Sequence, residues 1–225
     1  RTRARPTDDT PRANDAGGGV LTAAGADFTV EATAIGWTSG DDGDNDGEPD
    51  GYDNDDPSDN VSLDPAGDNV ELPNFGPESD DEAVALQAVL WQPGAGNNPG
   101  LAGAATIGEA AFEDAGDVGA GAGSTTVNYP EVGIIEPRAG IADGNYQGAG
   151  DVVGRSAAVG RFIPARLEAT GNTPAFSPFC DAGTDFTYLD QAFGYATDPA
   201  ATVTAYNAKE VVTSNYGGAF WKLPV

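Results

Sequence analysis

The sequence contains no histidine, no methionine, one cysteine, and only 10 lysines and arginines against 36 aspartates and glutamates. Each shortage closes off a class of function. Without histidine there is no imidazole for general-base work, for a zinc site, or for a thiol-protease dyad with Cys180. A lone cysteine cannot form an internal disulfide. Cys180 either pairs with a residue beyond Val225 or is a small buried apolar residue, the commoner case. A formal charge of −26, with lysine only at 209 and 222, makes nucleic acid and anionic membrane surfaces poor partners. No apolar run reaches the roughly 18 residues that a spanning helix needs, so no membrane insertion is expected. The first residue is Arg1 rather than methionine, which reads as a mature or clipped piece of a longer product.

What is abundant is equally restrictive. The chain has 32 glycines and 16 prolines, which leave little room for long helices, and its 225 residues suit one large or two ordinary β domains. The acids offer no carboxylate pair that stands out as a glycosidase site. The glycine-rich stretch 116–123 has neither the Lys-Ser/Thr ending nor the following helix of a phosphate loop, and reads as a connector. The chain is therefore read as a non-enzyme, with a polysaccharide hydrolase the least favoured of the functional readings. Self-repulsion among the acids calls for cations or salt, which suits a marine or salt-loving extracellular setting.

Residues 42–59 carry the most specific pattern. Asp42, Asp44 and Asp46 alternate so that three carboxylates can converge on one ion, and Gly47 permits the turn that brings Glu48 round to offer its carbonyl. Asp50 stands at position nine and Asp53 at position twelve. A calcium ion takes about 6–8 oxygen ligands, and this order of carboxylates around a glycine supplies them. The twelfth position is the shorter Asp rather than a bidentate Glu, and the flanks are turn-rich with no helix signal, so the loop is not a regulatory EF-hand. The acids continue through Asp55 and Asp59, an extension that resembles the thrombospondin type-3 repeat. That resemblance implies shared ions that stiffen a connector. A static structural calcium is expected, and a solvated acidic loop that binds nothing is the alternative.

Along the chain, residues 1–19 are polar and aperiodic and are expected to be a flexible lead-in. Phe28, Val30, Ala32 and Ala34 alternate with polar residues in the period of a half-buried strand. Short strands are expected at 61–63 and 70–72. Residues 82–91 admit a helical capping box from Ser79 to Glu82, yet Val84, Leu86, Ala88 and Leu90 alternate and the segment stops at Pro93, so a strand is expected. Long loops and short strands should fill 92–124. A weak repeat links residues 28–34 and 74–76 (Asn-Phe-Gly) with residues 201–207 and 215–217 (Asn-Tyr-Gly). Tandem immunoglobulin-like β-sandwiches account for it, over 20–162 with the calcium loop (41–60) inserted, and over 163–225 as a truncated second copy shorter than the ~100 residues of a complete sandwich.

Four runs carry a family resemblance: 129–134 (Tyr-Pro-Glu-Val-Gly-Ile), 159–164 (Val-Gly-Arg-Phe-Ile-Pro), 186–193 (Phe-Thr-Tyr-Leu-Asp-Gln-Ala-Phe), and 203–207 leading to Asn215 and Tyr216. Together they resemble the large domain of unknown function in MshQ-like proteins, bacterial surface proteins associated with the mannose-sensitive haemagglutinin type IV pilus. The resemblance implies an envelope or pilus-associated role in attachment and supplies no catalytic residues; a self-assembling filament or scaffold subunit without ligand binding is the alternative. Expected partners are other pilus or surface subunits, including further copies of the chain, and a glycan or cell surface. Trp37, Trp91 and Trp221 with Tyr52, Tyr146 and Tyr216 suit either core packing, the more frequent use, or a glycan-stacking surface. Arg161 and Arg166 flank the domain boundary, either as fixing contacts or as solvated side chains.

Overall fold

The computed structural model describes residues 2–6, 15–36, 70–72, 74–76, 82–113, 121–178 and 186–223. The fold is all-β, as the composition requires. Its first eleven strands are β1 (Thr2–Pro6), β2 (Thr22–Ala23), β3 (Asp27–Gly36), β4 (Val70–Glu71), β5 (Val84–Gln92), β6 (Ala102–Gly103), β7 (Thr106–Ile107), β8 (Ala122–Asn128), β9 (Gly133–Ile141), β10 (Val153–Arg155) and β11 (Val159–Ile163). A single helical turn, α1 (Ala110–Glu113), lies between β7 and β8.

The strands form two sheets. One runs β1-β3-β8-β6 with β4 also on β3, and the other runs β2-β11-β9-β5-β7 with β10 also on β9. Between them lies a core in which Val30, Ala32 and Ala34 from β3 meet Val84 and Leu86 from β5, and Ala139 and Ile141 from β9. Tyr129, Ile134, Ile135 and Phe162 build a second cluster, and Phe28 and Leu101 pack against both. Aromatic contacts tie the layers, with Phe75 edge-on to Phe112 at 4.9 Å and Phe28 against Phe162 at 5.4 Å.

The alternation of Val84, Leu86 and Ala88 with Gln87 and Val89 produces the expected strand β5, with the first set buried and the second exposed. β3 departs from a half-buried strand. It is hydrogen-bonded on both edges, by β1 and by β8, and Glu31 and Thr33 are buried along with the apolar set. The lead-in is also more ordered than its composition implies. Residues 2–6 pair antiparallel along residues 30–34, with Arg5 opposite Glu31. An Arg-rich polar segment suits the edge of a sheet, where it satisfies the open ladder and blunts further pairing. Ala16 is buried, and Arg161 donates to its carbonyl at 2.6 Å.

Beyond β11 the described residues form a ribbon where a second, incomplete sandwich was expected. Strand β12 (Arg166–Gly171) pairs with β15 (Ala201–Tyr206), and inside that hairpin β13 (Ala175–Ser177) pairs with β14 (Gly194–Thr197). Asn172 clamps the join, donating to the Asp198 carbonyl at 2.8 Å and accepting from the Ala200 amide at 2.7 Å. All residues of β12, β13 and β14 are exposed. The chain then turns back to the sandwich, where Phe220 is buried in the second core cluster. No helix among the described residues is long and apolar enough to cross a membrane.

Candidate functional site

The junction between sandwich and ribbon concentrates the buried polar chemistry. Glu131 is 3% exposed in the link between β8 and β9. Its Oε1 accepts from the amides of Val132 at 2.8 Å and Asn215 at 3.1 Å. Its Oε2 accepts from the amide and the hydroxyl of Ser214, each at 2.8 Å. Two asparagines extend the clamp. Asn215 donates to the carbonyls of Asn97 at 2.9 Å and Val132 at 3.0 Å, and accepts from the Asn97 amide at 2.8 Å. Asn207 donates to the Pro130 carbonyl at 2.9 Å and accepts from the amides of Lys209 and Val211. The returning segment is thus held through side chains that replace water at backbone groups, as buried polar groups require.

Tyr129 sits beneath this network. Burial, and secondarily the charge of Glu131, push its phenol well above the ordinary value. At the root of the ribbon, Arg166 pairs with Glu210 and Glu168 and lies over the Tyr206 ring at 4.0 Å. Hydrogen bonds to Glu210 and then Glu168 raise the guanidinium pKa, and the bond from Arg166 lowers that of Glu210.

Two surfaces leave the junction open. The first is a cavity of about 240 Å³ lined by Val132, Ile163, Leu167 and Phe220 together with Arg161 and Lys222. The second is the ribbon. Phe176 packs edge-on to Phe193 at 5.1 Å and stacks on Tyr195 at 5.3 Å, yet these rings are 60%, 52% and 43% exposed. Farther along, Phe186 and Tyr188 meet at 5.2 Å and are likewise exposed.

The expected calcium ligands Asp42, Asp44, Asp46, Glu48, Asp50, Asp53, Asp55 and Asp59 lie outside the described residues, as do Cys180, Trp37, Tyr52 and the strand at 61–63. What is described is where their segment is rooted. Gly36 at the end of β3 and Val70 at the start of β4 are register partners, so the chain leaves and re-enters the sheet at adjacent points. The remaining aromatics divide. Trp91 and Tyr216 pack against the second core cluster, Tyr146 stacks on Phe75 at 5.8 Å, and Trp221 meets Tyr216 at 5.4 Å. Glu131, the cavity and the exposed turn at 188–191 escaped functional notice in the sequence, although the runs containing Glu131 and that turn are among those that carry the family resemblance.

Residues 2–128 match the family model described as DUF6701, second domain, and residues 131–225 match DUF6701, third domain. No curated protein and no solved structure matches the chain. The line between the two matched regions falls between β8 and β9, yet β9, β10 and β11 share a sheet with β2, β5 and β7. The two regions are interlocked through that sheet.

Proposed function

This chain belongs to the DUF6701 family, and we propose that it is a non-catalytic extracellular module, structural and adhesive, associated with a pilus or the bacterial envelope and stabilised by calcium. The observation that carries the reading is the ribbon. Nine of the thirteen exposed large hydrophobics among the described residues lie between Leu167 and Val212. Concentrated exposed apolar surface marks a place where something else packs, and a two-stranded ribbon is marginal in water without cover. Its edges offer main-chain groups to a further strand, so strand addition by a neighbouring subunit is the mode such a ribbon suits.

The resemblance to MshQ-like surface proteins supports the envelope and pilus setting. Calcium held by residues 42–59 would neutralise carboxylates that otherwise repel, and would stabilise the folded form by binding linkage. The adjacent roots of the 37–69 segment suit a loop closed on an ion.

Retention of the purified chain on isolated bacterial envelopes, with calcium and with a chelator, tests the reading. Calcium-dependent retention that drops at least several-fold in Phe176→Ser/Tyr195→Ser is the expected result. Retention equal in the variant and indifferent to calcium would overturn it. A second reading, a self-assembling scaffold subunit, is favoured by the open cavity at the junction.

A further inference from the structure

We propose that copies of this chain associate head to tail, the turn at residues 188–191 of one copy seating Leu189 and Asp190 in the junction cavity of the next. The inference rests on the scaffold reading above and names its contact. Leu189 is 93% exposed, the highest value among the exposed large hydrophobics described. It is held out by a built turn. The Gln191 amide donates to the Tyr188 carbonyl at 3.1 Å, the Tyr188 amide donates to Gln191 Oε1 at 3.2 Å, and Asp190 adopts φ 63°. The turn therefore presents an apolar side chain next to a carboxylate in a set conformation, which lowers the ordering cost of docking.

The cavity is the complement of that pair. Val132, Ile163, Leu167 and Phe220 supply apolar walls, and both charged residues that line it are cations, Arg161 and Lys222. That is an anomaly in a chain of net charge −26. Arg161 is held in place at the cavity wall, its Nη1 donating to the Ala16 carbonyl at 2.6 Å. A volume of about 240 Å³ falls below the ~300 Å³ at which small-molecule pockets usually begin. It has room for a leucine side chain with a carboxylate beside it. Knob and hole are different sets of residues, so in the head-to-tail arrangement each copy keeps a free knob and a free hole and the contact propagates as a ring or a filament.

The charge of each copy opposes association, so the test is run near 0.15 M salt, where the Debye length is about 8 Å and only close contacts act at full strength. Sedimentation velocity of the full chain up to about 1 mM should show concentration-dependent association. Lys222→Glu and Asp190→Lys should each weaken it by about tenfold or more, and Asp190→Asn, which tolerates the positive φ, should weaken it less. Both charge-reversed positions are exposed in the isolated chain, so neither change threatens the sandwich, while lysine at φ 63° strains the turn and makes Asp190→Asn the cleaner variant there. An equimolar mixture of the two charge-reversed variants should associate at least in pairs, because the native turn of Lys222→Glu meets the native cavity of Asp190→Lys, whereas the reverse contact still faces Arg161 and is weaker. Association that persists unchanged in the single variants, or a mixture that associates no better than either variant alone, refutes this seat while leaving assembly by another surface standing. A chain that stays monomeric at every concentration refutes the seat and the scaffold reading together. Envelope retention needs no self-contact and reports on the adhesive reading separately.

Discussion

Replacing Glu131 by Gln changes one oxygen into an amide nitrogen, and the surrounding donors set the cost. The remaining oxygen keeps the Val132 and Asn215 amides, while the new NH2 faces the Ser214 amide and hydroxyl. The hydroxyl can rotate to accept, but the Ser214 N–H cannot, and because Ser214 is itself exposed the loss falls at the lower end of the roughly 1–3 kcal/mol for an unpaired donor. The bonds that survive lose their ionic partner, and hydrogen bonds to charged groups exceed neutral ones by about 1 kcal/mol each. The total is about 3 kcal/mol, a large part of the roughly 5–15 kcal/mol that holds an ordinary domain folded. Urea unfolding at pH 7 should therefore show a midpoint lowered by about 1–2 M with little change in slope. Hydrogen exchange should quicken first at the Ser214 and Asn215 amides, because the segment that returns from the ribbon loses its hold on the sandwich. Ser214→Ala removes the hydroxyl bond alone, a bond to a carboxylate from an exposed residue, and should cost about 1–2 kcal/mol. A Glu131→Gln midpoint within about 0.2 M of the parent would refute the reasoning, since water would then be replacing the carboxylate at the Ser214 amide without loss.

Two further outcomes come from the same geometry. The folded chain keeps the Tyr129 proton above the ordinary phenol value of 10.0, so the folded state binds the proton more tightly than the unfolded one. That contribution is whole below pH 10 and is lost as pH rises beyond it, so Tyr129→Phe, whose lost bond to Asn98 is a long 3.5 Å, should leave urea stability at pH 7 nearly unchanged and flatten the alkaline decline. Residues 2–128 produced alone lack β9, the partner of β5 along Val84–Gln92, and should show no cooperative unfolding transition; a sharp native-like transition from that piece would contradict the interlocked sheet.

The sequence revealed the class of fold because strand periodicity and the supply of glycine and proline act locally. β5 was legible even against a competing helix signal, since Val84, Leu86 and Ala88 needed only one face to bury. Residues 2–6 were not legible, because their pairing depends on an edge that β3 offers from far along the chain. The ribbon was missed for a related reason. Residues 201–206 have the alternation of a buried strand, but their partner β12 is exposed throughout, so the pattern described the strand and not its cover. Asn207 and Asn215 drew notice as parts of a weak repeat, and the structure makes them the two asparagine clamps of the junction. Glu131 was one acid among 36. Only the convergence of backbone amides from residues 132, 214 and 215 distinguishes it, and that convergence is a property of the fold.

Thermal unfolding of the full chain with calcium, with magnesium and with a chelator at constant ionic strength, alongside Asp44→Asn, tests the proposed calcium-stabilised module most directly. Calcium at about 100 times its dissociation constant contributes about 2.7 kcal/mol. For a chain of this size that corresponds to a melting temperature higher by roughly 5–10 °C. The account predicts such a rise with calcium, a much smaller one with magnesium, and its loss in Asp44→Asn. Equal shifts with both ions, or none with either, would contradict it and leave residues 42–59 as an acidic loop that responds only to salt.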